Sequence, residues 1–317
     1  MRSRKCSSLV VSACAVLCAV APASAQTADI ERPERSASIA TFRSSVNLVS
    51  VAAVVRDKRG RVMSSLSGQD FVVIDGGERR ELLDFQSTSS APASVALLID
   101  GSGSMRLGAA QDIARRISRD VIATLNPSRD TVALFSFDTR LLTLCRFTSD
   151  FELVRAKLWD VDAFGSTSLY DAVAGTSALV ADKAQSRRAV IVLTDGDDTT
   201  SAYSAEKVAW IASSIDVPVY VFAVGDGLAA GLTEERGLPR TGTLAELARA
   251  TGGDLFIANT PERIAAAVKR VTEELRHQYV LAFESAPDSG VRRLEVRTRR
   301  PELRVKSRNW YQAASEE

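Results

Sequence analysis

From about residue 92 to residue 275, short apolar segments alternate with longer amphipathic segments. Val95–Ile99 and Ala189–Leu193 are apolar at every position, which is typical of parallel strands buried on both faces. Leu107–Leu125 instead repeats its apolar residues at the spacing of one helix face. The alternation predicts an α/β domain, doubly wound around a mostly parallel sheet with helices on both sides.

The remaining elements of this region follow the same pattern. Thr131–Phe137 and Leu141–Phe147 are separated only by a short turn, which predicts one antiparallel edge strand. Further helices are predicted over residues 169–182, 205–213 and 244–250 and from Pro261 onward, and further strands over 217–224 and 255–258.

Both flanks of this region have sequence patterns that are typical of β-strands. The first flank covers residues 44–90 and includes a hairpin signal at Asp75-Gly76-Gly77 before Glu81–Phe85. The second covers residues 278–312 and includes strand-like segments at 279–283, 292–298 and 303–311. Because an isolated pair of strands is only marginally stable, we expect both flanks to form one small β-sandwich-like domain. The α/β domain of residues 92–275 is then an insertion in it.

The first 25 residues have the composition of a cleaved secretory signal. Basic residues are followed by an apolar stretch and then by Ala23-Ser24-Ala25, a small-residue cleavage site. Residues 26–43 are polar and are predicted to be a flexible leader. The protein is therefore expected to be exported, either to the periplasm or out of the cell, with no transmembrane segment in the mature chain. Lipidation at Cys14 is the alternative.

Charge and cysteine content exclude several classes of protein. The chain has 40 Lys and Arg against 39 Asp and Glu, a balance that gives no reason to expect nucleic acid as a partner. Three of the four cysteines lie in the signal, so the mature chain keeps only Cys145 and cannot form an internal disulfide. Cys145 lies in a strand-like run and is expected to be a buried, inert thiol.

Oxygen-bearing side chains gather in three loops of the α/β region. Asp100, Ser102 and Ser104 directly follow the first parallel strand, Thr167 precedes a helix, and Asp195 follows the strand 189–193. Ligands of such sheets bind beyond the carboxyl ends of the strands. Hydroxyl and carboxylate oxygens suit Mg²⁺, with Mn²⁺ or Ca²⁺ as alternatives, whereas Zn²⁺ favours Cys and His.

Other kinds of site fit the residues of these loops less well. A single Ser or Asp after a strand often caps the next helix, but three segments in one ordered pattern favour a metal site. The loop from Asp195 lacks the glycine of a calcium-binding helix-loop-helix, and Arg106 replaces the third glycine of a dinucleotide-binding loop. A serine hydrolase is not expected, because the only histidine is His277, at the end of the last helix.

The five residues resemble the metal-ion-dependent adhesion site of the von Willebrand factor A family, written Asp-x-Ser-x-Ser with a distant Thr and a distant Asp. The resemblance covers about residues 92–275. It implies that Ser102, Ser104 and Thr167 touch the metal through hydroxyls, and that Asp100 and Asp195 bind it directly or through water. It also implies a non-enzymatic module for adhesion or complex assembly, in which an Asp or Glu of a partner protein completes the coordination of the metal.

Two alternatives to this function remain at the level of sequence. One is a metal-dependent hydrolase that uses a metal-activated water, and the other is a scaffold in which the metal is purely structural. The flanks also resemble exported bacterial "VWFA-related" proteins, at residues 56–60, 66–71 and 277–281. We further expect the loop Gly225–Gly242 to contribute to partner specificity, and Asp197 and Asp198 to be solvated loop acids.

Overall fold

A computed structural model describes residues 48–87, 91–107, 109–183, 187–225, 240–287 and 290–313. The predicted signal peptide, the leader and residues 226–239 of the predicted specificity loop lie outside these residues. In the described part, the central sheet has the strand order β10-β9-β8-β5-β6-β7. Its strands are β5 (Ala93–Asp100), β6 (Thr131–Phe137), β7 (Leu141–Thr148), β8 (Arg187–Thr194), β9 (Val219–Val224) and β10 (Leu255–Ala258).

All neighbours in this sheet are parallel except β6 and β7, so β7 is the antiparallel edge strand that the sequence predicts. The helices around the sheet are α1 (Ala110–Thr124), α2 (Phe151–Lys157), α3 (Leu169–Ala181), α4 (Ala205–Ser214), α5 (Arg240–Ala250) and α6 (Pro261–Arg276). The predicted fold class is confirmed.

The two faces of the central sheet carry separate apolar cores. On one face, side chains of alternate strand residues pack with the apolar stripes of α1 and α6. On the other face, they pack with α3, α4 and α5. Every residue of β5 is buried, which explains why this strand has no polar alternation in the sequence.

Two four-stranded antiparallel sheets lie outside the α/β region, with the strand orders β13-β1-β11-β4 and β14-β12-β2-β3. Each sheet combines strands from both ends of the described chain. Their bounds are β1 (Leu48–Arg56), β2 (Phe71–Asp75), β3 (Glu78–Arg80), β4 (Leu82–Ser87), β11 (Tyr279–Glu284), β12 (Gly290–Thr298), β13 (Arg304–Ser307) and β14 (Trp310–Ala313). The two sheets share one apolar core. We call the two sheets and this core the flanking lobe.

The flanking lobe contacts the α/β region at the amino ends of the parallel strands. Asp216, between α4 and β9, accepts a hydrogen bond from the amide of Ala52 at 3.1 Å. The buried guanidinium of Arg308 donates to the carbonyl of Ser213 at 2.7 Å and to that of Ser50. The opposite, carboxyl edge of the sheet is therefore left for the candidate site.

Four details of the sequence-based secondary structure were wrong. The helix predicted from Leu107 begins at Ala110, because Leu107 itself has an extended backbone where it ends a short 3-10 turn over residues 103–106. Helix α2 was not predicted, although Asp150 caps it by accepting a hydrogen bond from the amide of Leu153 at 3.0 Å. Its length of seven residues is too short for a clear helical period.

The third error concerns the predicted hairpin partner of β2. That partner is the short strand β3, whereas β4 leaves this sheet and pairs with β11. In the same way, the single predicted strand 303–311 is divided into β13 and β14, which belong to different sheets. A chain that switches sheets keeps the same strand-like alternation, so the switch is invisible in the sequence pattern.

Cys145 is 8% exposed, and burial raises the pKa of its thiol. The predicted burial of Cys145 is thus confirmed, and a raised pKa disfavours the reactive thiolate. Within the described ranges, no helix is long and apolar enough to cross a membrane.

Candidate metal centre

The Asp100 loop lies at the carboxyl end of β5, in the middle of the central sheet. The Asp100 side chain is fully buried. One of its carboxylate oxygens accepts a hydrogen bond from the amide of Ser102 at 2.8 Å, and the other accepts one from the hydroxyl of Thr194 at 2.6 Å. Burial raises the pKa of Asp100 to about 6 in the metal-free protein, and the neighbouring Asp195 carboxylate acts in the same direction.

The two serines follow in a tight turn. The hydroxyl oxygens of Ser102 and Ser104 are 2.9 Å apart. Ser102 is almost fully buried, and Ser104 is partly exposed. Two hydroxyl oxygens thus lie side by side, and the hydroxyl of Ser102 is close enough to the Asp100 carboxylate to lower its pKa by hydrogen bonding.

Backbone hydrogen bonds join this loop to the segment that carries Thr167. The amide of Phe164 donates to the carbonyl of Gly101 at 2.6 Å, and the amide of Gly103 donates to the carbonyl of Gly165 at 3.1 Å. Gly101 is required for this approach, because a β-carbon there would lie 2.9 Å from the backbone oxygen of Asp162. Thr167 is 3% exposed, two residues beyond the junction.

The third predicted segment begins at the end of β8. Asp195 follows Thr194, whose hydroxyl bonds Asp100 and accepts a hydrogen bond from the amide of Gly196 at 3.0 Å. The Oδ1 atom of Asp195 is buried, with no hydrogen-bond partner among the described atoms. The structure therefore gathers all three predicted segments at one edge of the sheet.

The donors present fit a hard divalent cation. They are hydroxyl and carboxylate oxygens, and the buried, unpartnered oxygen of Asp195 is a group that a cation would satisfy. In the described part of the chain, no three His, Cys, Asp or Glu side chains are grouped for metal binding.

Comparison with known sequences identifies this region. Residues 95–197 match the family profile described as the von Willebrand factor type A domain. This segment is similar to the von Willebrand factor type A domain. The match contains all five predicted ligands, and as a von Willebrand factor A domain this region points to a protein-interaction module. A search of curated proteins found no match.

Several solved structures are similar to this chain. An aerotolerance-related membrane protein from Bacteroides fragilis is 20% identical, with a TM-score of 0.48, over 58% of this chain and 98% of the other. BatB from Bacteroides thetaiotaomicron is 18% identical, with a TM-score of 0.46, over 57% and 98%. A von Willebrand factor type A protein from Catenulispora acidiphila is 13% identical, with a TM-score of 0.48, over 86% and 75%.

The roles of two residues in this region were not predicted from the sequence. Thr194 orients Asp100, and its position at the end of an apolar strand, directly before Asp195, was a usable signal. Asp198 was expected to be a solvated acid, but its carboxylate accepts hydrogen bonds from the amide of Leu169 at 2.8 Å and from the hydroxyl of Ser201 at 2.6 Å. It therefore caps α3, the helix that follows Thr167, and no local sequence signal links the two segments.

Replacing Asp198 with alanine is expected to lower the free energy of unfolding by about 1–2 kcal/mol, the cost of losing a helix cap. The effect should be the same with and without divalent metal, because Asp198 bonds the helix amide. Urea denaturation measures it. Asp198→Asn keeps one carbonyl acceptor and should lose much less, and an equal loss in both variants would contradict the capping role.

Proposed function

We propose that this protein is an exported protein-binding module in which a divalent cation links the von Willebrand factor A domain to a partner. Asp100, Ser102, Ser104, Thr167 and Asp195 hold the cation, with Mg²⁺ the preferred ion and Mn²⁺ or Ca²⁺ as alternatives. The partner is a protein that presents an Asp or Glu carboxylate. The observation that carries the proposal is the buried Oδ1 atom of Asp195, which has no hydrogen-bond partner among the described atoms, in the residue after Thr194, whose hydroxyl bonds Asp100.

Charge balance explains why a partner carboxylate is needed. The set offers three neutral hydroxyls and only two carboxylates, so a divalent cation keeps positive character and an open coordination position. When bound, the cation supplies a Lewis-acidic site that attracts an anionic oxygen. The residues of this chain hold the cation at the surface edge of the sheet, where another protein can reach it.

The surroundings of the loops suit protein contact. Leu107 lies three residues after Ser104, and Phe164 lies in the segment that carries Thr167, where its amide bonds the carbonyl of Gly101. Both side chains are 74% exposed. The guanidinium of Arg106 lies 6.0 Å from the centre of the Phe164 ring. Exposed aromatic and arginine side chains are enriched in protein interfaces, which supports a binding role rather than a hydrolytic one.

The first experiment is a metal titration of the mature chain, residues 26–317, after chelation. At a hundredfold excess over its dissociation constant, a metal that binds only the folded state should stabilise the protein by about 2.7 kcal/mol. Asp195→Asn should abolish this gain. It should leave the metal-free protein as stable as before or more so, because it removes a negative charge beside Asp100.

Asp182→Asn is the matched control, because Asp182 is an exposed residue at the far end of α3. It should leave the metal response intact. No metal response in the unmodified chain would overturn the metal site. Turnover of phosphoester, peptide or ester substrates that disappears in Asp195→Asn would overturn the binding function in favour of a metal-dependent hydrolase. Partner binding unaffected by Ser102→Ala and by chelation would assign the metal a purely structural role.

A further inference from the structure

An open groove lies between α4 and α5 and ends on the flanking lobe. Its volume is about 400 Å³, within the range of small-ligand sites. None of its lining residues belongs to the candidate metal centre. A ligand in this groove would therefore bind without contacting the metal.

Each of the two helices lines the groove with the side chains of one face. Residues 206, 209 and 210 of α4 and residues 243, 246, 247 and 250 of α5 line it, at the spacing of one helix face. Ala209 and Ala250 keep the space between the helices open. The apolar floor is completed by the partly buried ring of Trp210 and by Leu247, which is 1% exposed.

The flanking lobe closes one end of the groove. Trp310 of β14 and Val291 of β12 line this end and are 38% and 51% exposed. They lie on the same face of the sheet, because Trp310 is opposite Arg293 and Val291 is opposite Gln312 in the strand register. Two of the three tryptophans of the chain thus line a single groove.

The charged residues that line the groove are both acidic. Among the residues whose side chains the structure describes, none forms an ion pair with Glu206 or Glu246. A hydrogen bond from Ser204 lowers the pKa of Glu206, so its carboxylate is ionised at neutral pH. The Trp210 ring already accepts one cation on its surface, since the ammonium of Lys207 lies 4.3 Å from its centre.

We propose that this groove binds an organic cation with an apolar body. The apolar body lies against the indole rings of Trp210 and Trp310, and the ammonium or guanidinium group lies near the carboxylates of Glu206 and Glu246. Indole faces and carboxylates both favour cations, and the apolar walls favour a ligand larger than a metal ion. The cation is either a free amine or a Lys or Arg side chain of a bound polypeptide.

Tryptophan fluorescence of the mature chain tests the proposal. Trp159→Phe leaves only the two groove tryptophans as emitters. Phenethylammonium should change their emission saturably, with a dissociation constant about tenfold lower than that of phenethyl alcohol, a neutral analogue of the same shape. The anion 3-phenylpropanoate should bind more weakly than either.

The double variant Glu206→Gln/Glu246→Gln should bind phenethylammonium only as well as the alcohol. Glu302→Gln is the matched control at an exposed turn and should change nothing. Circular dichroism before titration checks that each variant is folded. The proposal is overturned if no probe gives a saturable response, if the cation and the alcohol bind equally to the unmodified groove, or if the double variant retains the preference for the cation.

A second comparison separates the two sources of the cation. A blocked Leu-Lys-Leu tripeptide and free phenethylammonium are titrated against the same protein. Tighter binding of the tripeptide assigns the groove to a basic side chain of a bound polypeptide. Tighter binding of the free amine assigns it to a small organic cation.

Discussion

Replacing Glu274 with alanine is expected to lower the free energy of unfolding by about 3–5 kcal/mol, the cost of removing one partner from a buried ion pair. The Glu274 side chain is fully buried near the end of α6. Its carboxylate lies 2.6 Å from the guanidinium of Arg56 in β1 and 2.5 Å from the ammonium of Lys306 in β13. Alanine would remove the carboxylate that pairs with Arg56 and would leave Lys306 with only the more distant Asp254, at 3.8 Å.

Urea denaturation of the purified chain measures this loss. Glu273→Ala is the matched control, because Glu273 is the preceding residue, its side chain is 41% exposed, and its nearest cation, Lys269, is 3.9 Å away. The control should cost about 0.5 kcal/mol or less. Equal losses in the two variants would show that the buried ion pairs do not hold the lobe in place.

The dependence of the free energy of unfolding on pH tests the same residue, Glu274, in a second way. Burial raises the pKa of Glu274, but Lys306 and Arg56 outweigh it, and the pKa lies below its usual value of 4.5. A carboxyl with a lowered pKa in the folded state contributes stability above its unfolded pKa, and this contribution is lost as the pH falls through the folded pKa. The unmodified chain should therefore lose stability below about pH 4.5, and Glu274→Ala should lack this part of the loss.

The second large effect is expected at Gly101. Gly101→Ala should abolish the stabilisation by divalent metal, about 2.7 kcal/mol at a hundredfold excess over the dissociation constant. A β-carbon at this position would lie 2.9 Å from the backbone oxygen of Asp162 and 3.2 Å from that of Phe137. Backbone atoms cannot rotate away, so the serine loop and the Thr167 segment must separate and the predicted ligands move apart.

Gly103→Ala is the control within the same loop. Its β-carbon would lie 3.6 Å from the nearest backbone oxygen, an ordinary contact, so the metal response should persist. Calorimetric titration with Mg²⁺ and Mn²⁺ compares the two variants. If Gly101→Ala binds metal as the unmodified chain does, the close approach of the two segments is not needed for the site.

The outcome at Gly101 also separates the metal proposal from the groove proposal. The groove between α4 and α5 shares no lining residue with the serine loop. Gly101→Ala should therefore leave binding of phenethylammonium unchanged. The two proposals can then fail or succeed independently.

Local sequence pattern predicted most of the α/β region, apart from helix α2 and the start of α1. The apolar run 95–99 has no polar alternation because β5 lies between two parallel neighbours and under helices on both faces. The order of loops along the chain placed Asp100 and Asp195 after neighbouring strands, β5 and β8. The carboxyl ends of parallel strands lie at one edge, so the sequence predicted that both loops share this edge, and the structure adds that their strands are neighbours.

Contacts between distant segments were beyond such reasoning. Asp198 caps a helix that begins 29 residues earlier, and Glu274 pairs with Arg56 across 218 positions of the chain. The sequence around each of these residues does not indicate its partner, because each is by itself an ordinary polar residue of a loop, strand or helix. The same holds for the division of β13 from β14, which depends on which sheet each strand can reach.

The sequence by itself determined the order of strands and helices, the antiparallel edge strand and the residue types at the carboxyl edge of the sheet, because hydrophobic periodicity and strand polarity are local properties. Only the tertiary structure decided how the flanking lobe is held at the opposite edge, which polar residues cap and orient the site, and that two tryptophans and two glutamates meet in one groove. These features arise where segments far apart in the chain pack together, and the physical complementarity that brings them together exists only between their folded surfaces.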